Sequence, residues 1–363
     1  MLCLRFNELY PIYTFRRYLG RCIPDLINKI FSKKLNAIEL NRKFHNIFWL
    51  LTFAFTSLCL QAQESVKTHE GVEIGGIKQW IGAKGADDTK PLLLFLHGGP
   101  GFSSRNYAKK FIKYLQKDFI IAQWDQRETG ITLHWGPYSD SLTVDIFHRD
   151  TEEVVSYLLK KFSKQKLFLV GFSWGGFLGL HFTNEHPELL HAYISVSSMI
   201  YQHKSEELTL ALLQEKADSS GDRTAIDEIS KISIPFNSWE DLYFQRKWTA
   251  QFLDKEKFNP KQKEIFQQWS EKWFPIFIEA AEVNYAEIVP AIHCPIYFFI
   301  SNKDFVANYA VAESYFNNMK ASQKQIVWFE QSTHEIPTDE PKKFSEELIN
   351  ISSQIDLSKT EKK

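Results

Sequence analysis

A serine flanked by glycines is the first place in this chain where residue types and spacing point to chemistry. Leu167–Gly171 is a short apolar run typical of a buried parallel strand, and residues 176–183 have the apolar spacing of a helix. Ser173 stands between them, in the pattern Gly-x-Ser-x-Gly. A strand, a sharp turn with serine at its apex and a helix hold the hydroxyl clear of the sheet edge, where it can act as a nucleophile.

An activated serine needs a base and a group that orients the base, and the chain offers both further on. Asp304 follows a predicted strand at 296–300, and His334 follows a predicted strand at 325–330. Ligands of open parallel sheets bind at the carboxyl ends of the strands, so these side chains are expected to meet Ser173 there. His334 would then take the serine proton, and Asp304 would fix its tautomer. A helix N-cap role for Asp304 and a surface position for His334 are the alternatives.

A glycine-rich loop, His97–Gly101, follows the predicted strand 91–97. In this arrangement a backbone N–H of that loop and the N–H after the nucleophile form an oxyanion hole. We expect Gly99 and Trp174 to supply these donors, with glycine required at 99 because a side chain would block the acyl oxygen. His97 is expected to hold the loop.

Composition narrows the class of protein. The 363 residues carry 43 Lys and Arg against 44 Asp and Glu, which argues against a nucleic-acid partner. Aromatic residues are abundant enough to fill a large core and line an apolar pocket. Beyond residue 62 only Cys294 remains, so we expect no internal disulfide and no metal cluster. Oligomeric state is not readable from these features.

The front of the chain resembles a targeting segment. Arg42 and Lys43 precede the apolar run 47–60, and Ala62 offers a small residue at a cleavage point. We therefore expect residues 1–62 to be an N-terminal extension with a signal peptide that engages the membrane or export machinery, making the protein periplasmic or secreted. An uncleaved anchor at 47–60 is the alternative, although a membrane span usually needs about 20 residues. Residues 1–41 are either a long basic lead or lie ahead of the true start.

Past the leader, predicted strands and helices alternate, which indicates an α/β fold: a mostly parallel sheet flanked by helices. The alternation stops after residue 198, where long amphipathic segments without a clear strand predict an inserted helical cap. The predicted division is a first core part at 63–198, the cap at 199–289, a second core part at 290–357 and a solvated tail at 358–363.

With these motifs in place the chain resembles the α/β-hydrolase superfamily, and within it the proline iminopeptidase-like serine peptidases. The motifs that carry the resemblance are His97–Gly101, Trp124–Arg127 and Gly171–Gly176, and it spans roughly residues 65–355. It implies that Ser173, Asp304 and His334 form the catalytic triad. It also implies removal of N-terminal residues, often proline, from small peptides without metal or organic cofactor.

In that family, cap glutamates hold the free α-amine of the substrate through charge-assisted hydrogen bonds. The resemblance suggests Glu240 and Glu282 for this task, and exposed helix faces are the alternative for both. The chain departs from the family at Glu128 and Phe172, where glycine is usual. A carboxylesterase that uses the same triad on an ester, and a binding protein without activity, are the competing functions.

Overall fold

The computed structural model describes residues 65–136, 142–255, 259 and 261–355. The predictions on the extension 1–62 and on the tail 358–363 lie outside the described residues. Within the described ranges, no helix combines the length and the apolar character that a bilayer crossing requires.

A sheet of eight strands organises the molecule, in the order β1-β2-β4-β3-β5-β6-β8-β10. β1 and β2 form an antiparallel hairpin and β2 runs antiparallel to β4, whereas all other neighbours in this sheet are parallel. A separate two-residue pair joins β7 to β9. The strands are β1 Val66–Ile74, β2 Ile77–Gly85, β3 Leu92–Leu96, β4 Ile120–Asp125, β5 Leu167–Phe172, β6 Leu190–Val196, β7 Ala291–Ile292, β8 Ile296–Ile300, β9 Lys320–Ala321 and β10 Lys324–Trp328.

The central strands are apolar throughout because helices cover both faces of the sheet. In β3, Leu92, Leu94 and Leu96 enter one core cluster, while Leu93 and Phe95 enter the other, as the two-residue period of a strand requires. A mostly parallel sheet between helical layers confirms the predicted fold class.

Helices follow most of the parallel strands. They are α1 Lys109–Leu115, α2 Val144–Lys161, α3 Trp174–Glu185, α4 Gln202–Ser220, α5 Arg223–Ile229, α6 Trp239–Trp248, α7 Gln262–Ala281, α8 Tyr285–Ile288, α9 Tyr309–Asn318, α10 Ile336–Asp339 and α11 Pro341–Gln354. α4 to α8 all lie between β6 and β7, and the described part of that segment contains no strand. Its helical character agrees with the sequence pattern, and its assignment as a separate cap domain stays a prediction.

Two short elements were missed by the sequence pattern. The helix α10 begins two residues after His334, and the β7–β9 pair lies beside the last crossover. Elements of two to four residues contain only about one period of a strand or a helix, so hydrophobic spacing cannot reveal them. In addition, β10 ends at Trp328 rather than at the predicted residue 330.

Candidate active site

Ser173 occupies a strained turn between β5 and α3. Its backbone angles are φ 55° and ψ −115°, outside the regions that non-glycine residues favour. The surrounding glycines are required by close packing: a Cβ at Gly175 would lie 2.2 Å from the Leu96 carbonyl oxygen, and one at Gly171 would lie 2.5 Å from the Gly175 carbonyl oxygen. The Gly-x-Ser-x-Gly spacing thus lets the turn lie against β3 and lift the serine to the sheet edge.

The structure brings Ser173, His334 and Asp304 together. His334 Nε2 lies 3.0 Å from Ser173 Oγ, and His334 Nδ1 lies 3.0 Å from both carboxylate oxygens of Asp304. Asp304 Oδ1 also accepts hydrogen bonds from the backbone N–H groups of Val306 and Ala307, each at 3.0 Å. The cap-like turn and the contact with histidine, which the sequence left as alternatives for Asp304, are therefore present together.

The protonation state of His334 follows from its neighbours. A carboxylate only accepts hydrogen bonds, so Nδ1 carries a proton and donates it to Asp304, which leaves Nε2 of the neutral ring free to accept the Ser173 proton. Burial by itself lowers the pKa of His334, but the Asp304 carboxylate outweighs it and raises the pKa above its ordinary value. The arrangement suits a general base that becomes a stabilised imidazolium.

The predicted oxyanion donors flank the serine. Trp174 is the first residue of α3, where backbone N–H groups have no intrahelical partner, and Gly99 lines the same cavity as Ser173. Gly99 has φ 133°, and a Cβ there would lie 2.6 Å from the Gly101 nitrogen. Glycine is thus demanded by the loop backbone itself, before any substrate is considered. The donor role of both N–H groups stays a prediction.

His97 holds the glycine-rich loop, as the sequence suggested. The ring is completely buried; its Nδ1–H donates to the Gly98 carbonyl oxygen at 2.8 Å, and its Nε2 accepts from the Gln126 N–H at 3.4 Å. Burial lowers the pKa of His97 to about 4, so the ring is neutral at pH 7. The loop after β3 is thereby tied to the end of β4.

The motif 124–127, which carried part of the family resemblance, connects the parts of the site. The Trp174 indole N–H donates to the Gln126 side-chain oxygen at 2.9 Å. Arg127 forms a buried two-point ion pair with Asp150 of α2, at 2.5 and 2.9 Å. These contacts fix the turn after β4 against the serine turn and against α2, so the motif acts as a scaffold.

The two departures from the family have different surroundings. Glu128 adopts a left-handed backbone, φ 57°, and its buried carboxylate accepts a 2.5 Å hydrogen bond from Lys272 of α7. Phe172 lies in the cavity wall, with its ring centre 5.3 Å from that of His334. Where the family has glycine, this chain places a tether to α7 and an apolar wall.

A cavity of about 520 Å³ opens above Ser173 and His334. This volume lies within the range of small-molecule sites. The segment between β6 and β7 supplies much of its apolar wall, namely Leu242, Ile265, Phe266, Trp269 and Phe277. The polar side chains on the wall include Gln202, Arg246 and Glu335. The site is therefore a mostly apolar cavity with a few charged side chains on its wall.

Neither Glu240 nor Glu282 lines this cavity. Glu240 lies in the first turn of α6, and Glu282 ends α7 with its carboxylate 3.6 Å from His203 Nδ1. Position in the segment therefore did not identify the acidic residue at the site. The carboxylate on the cavity wall is Glu335, directly after His334, and its adjacency to the predicted base was a signal that could have found it.

Cys294 is buried, and burial raises the pKa of its thiol to about 12, as suits a structural residue. Across the described ranges, no cluster of three or more His, Cys, Asp or Glu side chains is placed to hold a metal ion.

Comparisons with known proteins place the chain among hydrolases. A family model described as serine aminopeptidase, S33, matches residues 87–341. A probable aminopeptidase of Bacillus subtilis strain 168, YbaC, is 27% identical over 308 residues, which cover 79% of this chain and 96% of that protein. A proline iminopeptidase of Lactobacillus helveticus is 30% identical over 126 residues, covering 34% of this chain and 41% of that protein.

Solved structures agree on the fold. The proline iminopeptidase of Mycobacterium smegmatis matches with a TM-score of 0.58 at 17% identity, covering 80% of this chain and 99% of that one. An esterase from Exiguobacterium antarcticum matches with a TM-score of 0.52 at 16% identity, covering 78% of this chain and all of that one. At such identities the likeness concerns the fold alone.

Proposed function

Because the chain belongs to the serine aminopeptidase S33 family of α/β-hydrolases, we propose that it is an aminopeptidase of proline iminopeptidase type, releasing N-terminal residues from peptides through an acyl-enzyme. The observation that carries this proposal is the chain of hydrogen bonds from Ser173 through His334 to Asp304 at the base of an apolar cavity.

In the proposed reaction, Ser173 Oγ attacks the carbonyl carbon of the first peptide bond while His334 Nε2 takes the hydroxyl proton. The N–H groups of Gly99 and Trp174 stabilise the negative oxygen of the tetrahedral intermediate. The C–N bond then breaks as His334 returns the proton to the leaving amine, which leaves the N-terminal residue as an ester on Ser173. A water molecule, deprotonated by His334, hydrolyses that ester and restores the enzyme.

We assign recognition of the substrate amine to Glu335. In the part of the chain that the structure describes, its carboxylate forms no hydrogen bond, although it faces the cavity beside His334. Glu335 as a whole is exposed at the cavity, yet partial desolvation of its carboxyl group raises the pKa, and a bound ammonium would favour the charged form. Helices α4, α6 and α7 would act as the cap that excludes water from the reaction.

The second candidate is a carboxylesterase, favoured by the apolar wall of the cavity and by a fold shared with solved esterases. Release of p-nitroaniline from proline and alanine p-nitroanilides, measured beside hydrolysis of short p-nitrophenyl esters, separates the two. Ester turnover with no release from any aminoacyl anilide rejects the peptidase. Failure of a fluorophosphonate probe to label the protein at Ser173 rejects the serine mechanism altogether.

We also propose that residues 42–62 direct export, from the basic lead, apolar run and small residue in that order. N-terminal sequencing of protein recovered outside the cytoplasm would show whether the chain begins after Ala62. A full-length chain retained in the membrane fraction would support the anchor instead.

A further inference from the structure

The cavity wall contains a fixed cation. Arg246, on α6, lines the cavity, and 13% of its side chain is exposed. Its Nη1 and Nη2 groups donate to the two carboxylate oxygens of Glu206 at 2.8 and 2.5 Å, and Glu206 itself is 2% exposed. A two-point contact with a buried carboxylate holds the guanidinium plane in one orientation.

That contact leaves donors of Arg246 available. A guanidinium has five N–H groups, and the hydrogen bonds to Glu206 and to Gln245 involve only the two Nη atoms. Within the described residues, the Nε–H group has no acceptor. Because Arg246 forms part of the cavity wall, a ligand carboxylate can share this guanidinium with Glu206, each carboxylate taking different hydrogens.

Gln202, on the same wall, has a second polar group without a partner among the described residues, here an acceptor rather than a donor. Its Nε2 donates to Glu206 at 2.5 Å and to the Val306 carbonyl oxygen at 2.7 Å, so the orientation of the amide is determined. Its Oε1 has no hydrogen-bond partner in the described chain, although the residue is only 2% exposed. An unsatisfied buried acceptor costs about 1–3 kcal/mol, so this oxygen calls for a ligand donor.

The charges on the cavity wall are of opposite sign. Glu335 follows His334 directly in the chain, whereas Arg246 and Gln202 belong to α6 and α4 of the inserted segment. A short peptide at neutral pH is a zwitterion with an ammonium at one end, a carboxylate at the other and N–H donors between. Two or three extended residues span about 7–10 Å, a size that suits a cavity of this volume.

We propose that the enzyme selects dipeptides and tripeptides with a free carboxyl terminus, which Arg246 binds as a carboxylate while Gln202 accepts an N–H of the same peptide. This specificity rests on the proposed aminopeptidase function, with Glu335 holding the amine. Peptides blocked at the carboxyl end lose the contact with Arg246 and leave Glu206 as its only charged partner.

The test compares kcat/KM for Pro-Ala and for Pro-Ala amide, with released proline measured by mass spectrometry. Wild type should prefer the free acid by at least about tenfold, the value of one charge-assisted contact. The double variant R246M/E206Q removes the cation without leaving a buried unpaired charge, and its preference should fall to near one. Arg246→Lys keeps the charge but loses the fork, so it should retain only part of the preference.

The matched control is K247M/E228Q, which removes another partly buried ion pair that α6 makes, away from the cavity wall. Its acid-to-amide ratio should equal that of wild type. A wild-type ratio near one, or an unchanged ratio in a folded R246M/E206Q protein, overturns the carboxylate site. If the acid-to-amide ratio of kcat/KM falls as much in K247M/E228Q as in R246M/E206Q, the Arg246–Glu206 pair only stabilises the packing of the helical segment, and the carboxylate site is rejected.

Proline p-nitroanilide distinguishes this result from failure of the proposed function. If the anilide is hydrolysed but the ratio is one, only the carboxylate site is rejected. If neither peptide nor the anilide is hydrolysed while p-nitrophenyl esters are, the aminopeptidase itself is rejected, and the peptide specificity with it.

Discussion

Replacement of Asp304 by asparagine tests the proposed chemistry most directly, because the structure dictates how the new amide must lie. Two backbone N–H groups, from Val306 and Ala307, donate to Oδ1 at 3.0 Å. They require an oxygen there, so the asparagine NH2 group would replace Oδ2, which lies 3.0 Å from His334 Nδ1. The retained oxygen also lies 3.0 Å from Nδ1, but two backbone N–H groups already occupy it. We therefore expect the histidine to accept at Nδ1 from the NH2 group and to carry its proton on Nε2, where it could no longer take the proton of Ser173.

The expected loss is large. The corresponding aspartate-to-asparagine change in a serine protease lowers kcat about 10⁴-fold by the same tautomer reversal, a value taken from that system. A 10⁴-fold loss corresponds to about 5.4 kcal/mol of transition-state stabilisation. The fold should survive because the amide keeps the backbone hydrogen bonds and nearly the same volume.

The pH profile provides a second reading of the same variant. His334 acts as a base only when neutral, so wild-type activity should fall as the pH drops through its raised pKa. Without the Asp304 charge, burial is no longer outweighed and lowers the pKa of His334. The acid limb of kcat/KM for proline p-nitroanilide should therefore move to lower pH in the variant.

Asp227→Asn, the same chemical change at an exposed residue of α5, serves as the control, and thermal unfolding checks both proteins. An Asp304→Asn enzyme that keeps more than about one hundredth of the wild-type rate would contradict the prediction, because the expected residual activity is far lower. An unshifted acid limb would equally show that Asp304 does not set the pKa of His334.

Four further outcomes follow from individual residues. Gly99→Ala should lower kcat by about 10²-fold or more, because φ 133° is strained for alanine and the oxyanion donor would shift; stopped assays beside thermal unfolding measure this. Glu335→Gln should raise KM for aminoacyl anilides more than for p-nitrophenyl esters, and equal changes would exclude an amine contact. Glu128→Gly should be more stable than Glu128→Ala by about 1 kcal/mol in urea titrations, because both lose the Lys272 contact and only glycine relieves φ 57°. Burial lowers the pKa of His97 to about 4, so between about pH 6.5 and 4 only the unfolded chain binds a proton there, and the free energy of unfolding should fall as the pH drops. Urea titrations over this pH range should show a shallower fall for His97→Gln than for wild type, and equal slopes would contradict the prediction.

The elements and the reacting side chains were readable from the sequence because their signals are local. Apolar runs marked the buried strands within one or two residues of their observed bounds, as at residues 296–300. The turn at Ser173 could be predicted because Gly171 and Gly175, at the two ends of a five-residue stretch, both lie where a side chain would not fit. The order of Ser173, Asp304 and His334 along alternating strands and helices was enough to predict that they meet at one sheet edge.

The polar groups of the cavity could not be read in the same way. Glu240 and Glu282 were predicted from their place in the helical segment, yet which face of a helix looks into a cavity depends on how the helices pack. In the sequence, Arg246 looks like any charged residue of an amphipathic helix, because the residue that fixes its guanidinium, Glu206, lies forty positions earlier in the chain.

The sequence by itself determined the order of strands and helices, the strained serine turn and the residue types of the reaction, because backbone preferences and hydrophobic periods are properties of neighbouring residues. Only the tertiary structure decided which charged side chains line the cavity. That placement depends on contacts between residues far apart in the chain, such as the hydrogen bonds by which Glu206 fixes Arg246.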